Sequence, residues 1–90
     1  MKKFRINKDS FTTGFQMDFD NGVTVSIQFG KMSRSDKGET SAEVAVFRDD
    51  DWFIMDVDKQ DLVKVNGSDV MTRCTPEVAA WIINKAKDIK

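Results

Sequence analysis

The 90-residue chain is 40% apolar and 32% charged, which fits one small domain with a thin core. No stretch approaches the roughly 20 consecutive apolar residues that a membrane-spanning helix needs. The net charge of −1 gives no global field toward nucleic acid or an anionic membrane, and the absence of histidine removes the usual general base near neutral pH and the commonest metal ligand.

In chain order, Phe4 and Ile6 alternate with Arg5 and Asn7 and predict a short first strand. Residues 15–30, FQMDFDNGVTVSIQFG, predict a hairpin with one greasy face and one wet face. Its register follows from the alternation. A two-residue Asn21-Gly22 turn would set Phe19 against Thr24. A three-residue loop Asp20-Asn21-Gly22 pairs Phe19 with Val23, Met17 with Val25 and Phe15 with Ile27. Such a loop is a type I turn closed by a left-handed residue, and Gly22 occupies that position. Residues 31–41, KMSRSDKGETS, lack periodicity and predict a long loop.

Residues 42–47 and 51–57 predict two strands around Arg48-Asp49-Asp50. Both carry apolar residues on both faces, as central or doubly covered strands do. Residues 62–74 fit either a hairpin around Asn66-Gly67 or a loop with short extended arms. Thr75-Pro76-Glu77 is a strong helix start: a capping hydroxyl, a proline suited to the first turn, and a carboxylate at the positive end of the helix dipole. The helix is expected from Pro76 to about Asp88, with Val78, Ala79, Ile82, Ile83, Ala86 and Ile89 on one face and Trp81 at the edge of that stripe. The fold class is therefore α+β: an antiparallel sheet of about four to six strands in a meander of hairpins, with one C-terminal amphipathic helix packed on one face.

Few constellations carry chemistry. The charge is uneven: residues 1–10 hold Lys2, Lys3, Arg5 and Lys8 against Asp9, and residues 49–61 hold six aspartates against Lys59. The acidic segment lacks the central glycine and distal glutamate of a calcium loop, so no metal site is expected, and Asp49, Asp50 and Asp51 are read as a solvated turn and a candidate partner contact. Lys31, Arg34 and Lys37 lie in a loop without a glycine-rich phosphate cradle or interleaved aromatics, which argues against nucleic acid but leaves a candidate partner contact. Trp81, at the edge of its stripe, is the third candidate, because exposed tryptophans anchor interfaces. Cys74 has no histidine to act as its base and is read as an inert buried thiol. A single cysteine also fits a reducing, cytoplasmic setting, and the basic N-terminus lacks the apolar run of a signal peptide. No nucleophile–base pair is present, so neither an enzyme nor a cofactor is expected.

The runs NGVTVSIQFG (21–30), SAEVAVF (41–47) and TPEVAAWI (75–82), with Trp52 between the last two, resemble a loose group of small accessory proteins of tailed bacteriophages. These share an N-G-x-T-V-S-x-Q-F-G hairpin, an A-E-V-A strand and a T-P-x-E-V-type final helix. The resemblance spans roughly residues 14–86, and the 31–40 segment departs from it in length and in Lys/Arg/Ser content. It implies a virus-encoded accessory protein made inside a bacterium, and implies no established activity, catalytic residue or cofactor; the host bacterial cytoplasm is then the expected location, and a host bacterial protein is the partner expected under the first of the readings below. Two readings follow: a non-enzymatic phage accessory protein that binds and modulates a host macromolecule, or a small-ligand or nucleotide binder, assembled as a homo-oligomer that buries the second sheet face.

Overall fold

The computed structural model describes residues 2–6, 13–29 and 41–90. Seven strands form one antiparallel sheet: β1 (Lys3–Ile6), β2 (Gly14–Asp18), β3 (Thr24–Gln28), β4 (Ala42–Arg48), β5 (Asp51–Asp56), β6 (Asp61–Val65) and β7 (Met71–Cys74), followed by one helix, α1 (Pro76–Ala86). The first six strands lie side by side in chain order, and β7 returns to pair with β4. This is the expected α+β architecture, with the helix on one face.

The β2–β3 hairpin has the register derived from its alternation. Phe15 faces Ile27 and Met17 faces Val25, and the Phe19 amide donates to the Val23 carbonyl at 2.9 Å. The Gly22 amide donates to the Phe19 carbonyl at 3.0 Å, and Gly22 has φ 83°, a conformation that disfavours any residue with a Cβ. At the other end of the hairpin, Gly14 lies so close to the Ile27 carbonyl that a Cβ would collide with it.

β4 is the strand on which the sheet is organised. One edge pairs along its length with β3. The other edge is shared: Val46, Phe47 and Arg48 pair with Phe53, Trp52 and Asp51 of β5, whereas Ala42 and Val44 pair with Cys74 and Met71 of β7 across a register shift. The sheet therefore forks. The β5–β6 hairpin leaves the plane midway along β4, and β7 takes the vacated edge. Residues 62–74 are thus not a hairpin but the other alternative, a connection with short extended arms. Their two arms are strands that pair with different partners, because an edge of β4 was open to the second arm.

The core lies between the fork and α1. Val23, Val25, Val44, Val46, Ile82 and Ala86 are wholly buried, with Ile27, Ala42, Phe53, Leu62 and Cys74 nearly so. Burying a side chain such as Ile82 stabilises the fold by about 1.5–3 kcal/mol. Thr75 caps α1, its hydroxyl accepting from the Val78 amide at 3.3 Å, and Pro76 opens the first turn. The helix ends at Ala86, two residues short of the expected Asp88; Lys87 and Asp88 form a tighter closing turn in which the Asp88 amide donates to the Lys85 carbonyl.

The end of α1 is tied to the opening hairpin. The Asn21 side-chain amide donates to the carbonyls of Ala86 (3.0 Å), Lys87 (3.3 Å) and Ile89 (2.9 Å), while its Oδ1 accepts from the Val23 amide at 3.0 Å. Arg48 reinforces the joint, donating to the Asn21 carbonyl at 3.3 Å and to the Lys90 carbonyl at 3.2 Å. Asn21→Ala removes three hydrogen bonds at the helix end, two of them part-buried, and should cost about 2 kcal/mol, a fall in Tm of roughly 8–16 °C for a chain of this size. Asn21→Asp should cost more than Asn21→Ala. It keeps the acceptor for Val23 but sets a carboxylate against the negative end of the helix. Chemical denaturation of the two variants side by side checks the order, and an aspartate variant as stable as the alanine variant would contradict the joint described.

Candidate partner-binding groove

Alternation along the strands gives the sheet two dissimilar faces. The face opposite α1 is divided. Over β2 and β3 it carries Gln16, Asp18, Thr24, Ser26 and Gln28, and over β4, β5 and β6 it carries Ala45, Phe47, Trp52, Ile54, Val63 and Val65, all half-buried. The Phe47 and Trp52 rings lie 4.8 Å apart at 33°.

The polar half is drier than a solvated face is expected to be. Thr24 and Ser26 are 8% and 6% exposed. They are short side chains on an inner strand, flanked by Asp18 and Phe47 and by Gln16 and Ala45, and each is hydrogen-bonded. The Thr24 hydroxyl donates to Asp18 at 2.6 Å, and Gln28 donates to Ser26 Oγ at 2.8 Å. Arg5 donates to the same Asp18 oxygen at 2.8 Å, and Lys2 lies 3.4 Å from Asp20. The basic N-terminal patch is thus partly answered by the hairpin's own aspartates.

Trp81 lies on the other face, where α1 overhangs the far end of the β5–β6 hairpin. With Met55, Val57, Gln60 and Val78 it lines an open apolar groove of about 480 Å³. The groove is a product of the fork: once β5 parts from β4, its far end stands out beside the first turns of α1. The β5–β6 turn shapes the outer wall. Asp56 Oδ1 accepts from the amides of Asp58 (3.0 Å) and Lys59 (3.2 Å), and Gln60 closes the turn with φ 52°. This holds Val57 outward, 71% exposed. Lys85, one helical turn beyond Trp81, places its ammonium 5.7 Å from the Trp81 ring centroid.

The sequence-predicted contacts are scattered rather than brought together. Asp49 and Asp50 form the exposed β4–β5 turn, Asp49 with φ 55°, and Asp51 opens β5. Trp81 is at the opposite end of β5, a separation of about 20 Å at the rise of an extended strand. Lys31, Arg34 and Lys37 lie outside the described residues. The groove residues that sequence reasoning missed are Met55, Val57, Gln60 and Val78. Val57 carried a signal, as an apolar residue set between Asp56 and Asp58 with no apolar neighbour in its turn.

Among the described residues, no group of His, Cys, Asp or Glu is placed to hold a metal ion, and no helix is long and apolar enough to cross a membrane. Cys74 is buried and free, its thiol donates to the Met71 carbonyl at 3.6 Å, and desolvation pushes its pKa up, away from the reactive thiolate. No family model, curated protein or solved structure matches the chain.

Hydrogen bonds from Arg5, then from Thr24, hold the Asp18 carboxyl below its ordinary value of 3.8, outweighing the opposing effect of burial. A carboxyl lowered in the folded state adds stability that is complete above its unfolded pKa and is lost as pH falls through the folded value. Asp18→Asn should therefore be less stable than the parent near neutral pH, and the gap should close on acidification below about pH 4. Urea denaturation across that range reads the gap directly.

Proposed function

We propose that this protein is a non-enzymatic accessory protein of a tailed bacteriophage that binds a host bacterial protein in the cytoplasm and modulates it. The observation that carries the reading is the groove around Trp81. A half-buried tryptophan sits in a concave apolar surface beside the exposed Val57, and aromatic anchors in such settings supply a disproportionate share of binding energy. The sequence adds the absence of histidine and of any nucleophile–base pair, which leaves occupation of a surface as the mode of action. The test is affinity capture from host lysate with parent and Trp81→Ala baits in parallel. A partner enriched by the parent should fall at least about tenfold with Trp81→Ala, while Asn84→Ala, on the exposed side of α1, leaves capture unchanged. Only background proteins with the parent bait would refute the reading.

A second reading is favoured by a different surface. The row Phe47, Trp52, Ile54, Val63 and Val65 faces away from α1 and has no second layer among the described residues. Two copies packed through it would form a sheet-on-sheet dimer, one form that the small-ligand or nucleotide-binding alternative can take. Sedimentation should then show a dimer that Trp52→Glu converts to a monomer, and a parent protein that sediments as a monomer at all concentrations would remove this reading.

A further inference from the structure

Asparagine followed by glycine occurs at two places in the chain, Asn21-Gly22 and Asn66-Gly67. The fold treats the two pairs in opposite ways. The first is held. The Asn21 carboxamide is bonded through both its nitrogen and its oxygen, and the Gly22 amide donates to the Phe19 carbonyl at 3.0 Å. A Cβ on Gly22 would already stand 3.4 Å from Arg48 Cδ. The second pair is loose. It opens the connection from β6 to β7, where Asn66, Gly67, Ser68 and Asp69 are all exposed. Gly67 has φ 78°, and a Cβ placed on it would meet nothing within 4 Å. Among the described residues, neither the Asn66 carboxamide nor the Gly67 amide has a hydrogen-bond partner. The connection is braced further on, by Asp69, whose Oδ1 accepts from the Val70 amide at 2.8 Å.

This difference bears on covalent chemistry, because asparagine is a thermolabile residue. Its loss of the amide requires a carboxamide free to turn toward the next backbone nitrogen. That nitrogen must be free to give up its proton, and the second residue must not crowd the approach, which glycine, lacking a Cβ, does not. Asn66-Gly67 meets all three conditions in the folded state. The Gly67 nitrogen bonds to Asn66 Cγ, the bond from Cγ to Nδ2 breaks, and Nδ2 leaves as ammonia with the proton that the backbone amide released. Water then opens the cyclic imide at either of its carbonyls and leaves aspartate or isoaspartate. Nothing is oxidised or reduced, and water is the co-reactant.

We infer that Asn66 is a site of spontaneous covalent modification in the folded protein, whereas Asn21 converts only in molecules whose helix joint has opened. The product at position 66 adds one negative charge to a chain of net charge −1 and sets it near Asp69. The isoaspartyl form also lengthens the backbone between β6 and β7 by a methylene. The core tolerates both products, since residues 66–69 are exposed. Once each site is scaled to its rate in the unfolded chain, the ratio of the two folded-state rates gives the fraction of time that the Asn21 corner spends open.

The test ages the full-length protein in mildly alkaline buffer, with and without guanidinium chloride, and follows both sites by tryptic peptide mapping. Trypsin separates them, Asn66 into residues 65–73 and Asn21 into residues 9–31, and conversion is read as the mass gained when oxygen replaces NH. In denaturant both sites should convert. In buffer Asn66 should keep its denatured rate to within about threefold, while Asn21 slows by at least about tenfold. Asn66→Ser should remove the folded-state conversion and leave that of Asn21 as it was. Arg48→Ala, which loosens the joint, should speed Asn21 without changing Asn66. Folding that slows Asn66 as much as it slows Asn21, or equal rates at the two sites in the folded protein, overturns the inference.

Discussion

The carboxamide of Asn21 serves two parts of the fold at once. Its oxygen closes the β2–β3 turn on the Val23 amide, and its nitrogen gathers carbonyls at and just beyond the end of α1, 65 and 68 residues further along the chain. A helix of 11 residues is too short to persist in water on its own. It survives because one side buries Ile82 and Ala86 against β3 and β4 and because the Ala86 carbonyl, with those of Lys87 and Ile89 just beyond the helix, is answered by the hairpin turn. The position of the helix over the sheet is set by this joint at one end and by the Thr75 cap, immediately after β7, at the other. The groove at Trp81 lies between these two fixed points.

The fork at β4 explains the remaining surfaces. A sheet in which β5 followed β4 along its whole length would leave β7 without a partner and would hold the β5–β6 turn close to the plane. Dividing the edge of β4 lets the β5–β6 hairpin swing away, which brings Leu62 under α1 and carries Met55 and Val57 to the flank of Trp81. The opposite face of the same hairpin shows Trp52, Ile54, Val63 and Val65, so β5 and β6 are apolar on both sides for two different reasons: one side supports the core and the groove, and the other forms the uncovered row.

What could be read from the chain alone was what depends on near neighbours. The β2–β3 register follows from a two-residue period and a glycine, and the start of α1 follows from Thr75-Pro76. Both are settled within a few residues, and both are found where the pattern places them. The pairing of 71–74 with β4 and the role of Asn21 depend on contacts far apart in sequence. Asn21 read as a turn residue, which it is, and nothing local marks its second set of bonds. The same limit applies to the groove. Trp81 stood out by its angle on the helix, but its neighbours Met55 and Val57 belong to a hairpin whose departure from the sheet no local pattern encodes. Val57 looked like the end of a strand because apolar residues precede it, whereas the backbone has already entered the turn.

The dipeptide Asn21-Gly22 has a chemical liability as well as a structural role. Asparagine followed by glycine tends to cyclise, the glycine nitrogen attacking the side-chain carbonyl carbon with loss of ammonia, and asparagine is accordingly among the residues that heat damages first. In the folded chain the would-be nucleophile is engaged with the Phe19 carbonyl, and the departing nitrogen is bound by the helix terminus. Folding thereby shelters its own weakest covalent link. A molecule that opens for long enough to cyclise returns with an aspartyl or isoaspartyl group where the carboxamide stood, and the new negative charge opposes re-docking of the helix. Unfolding at this corner is therefore self-reinforcing over time, a covalent clock that runs only while the protein is open and that mass spectrometry of aged folded and denatured samples would read out.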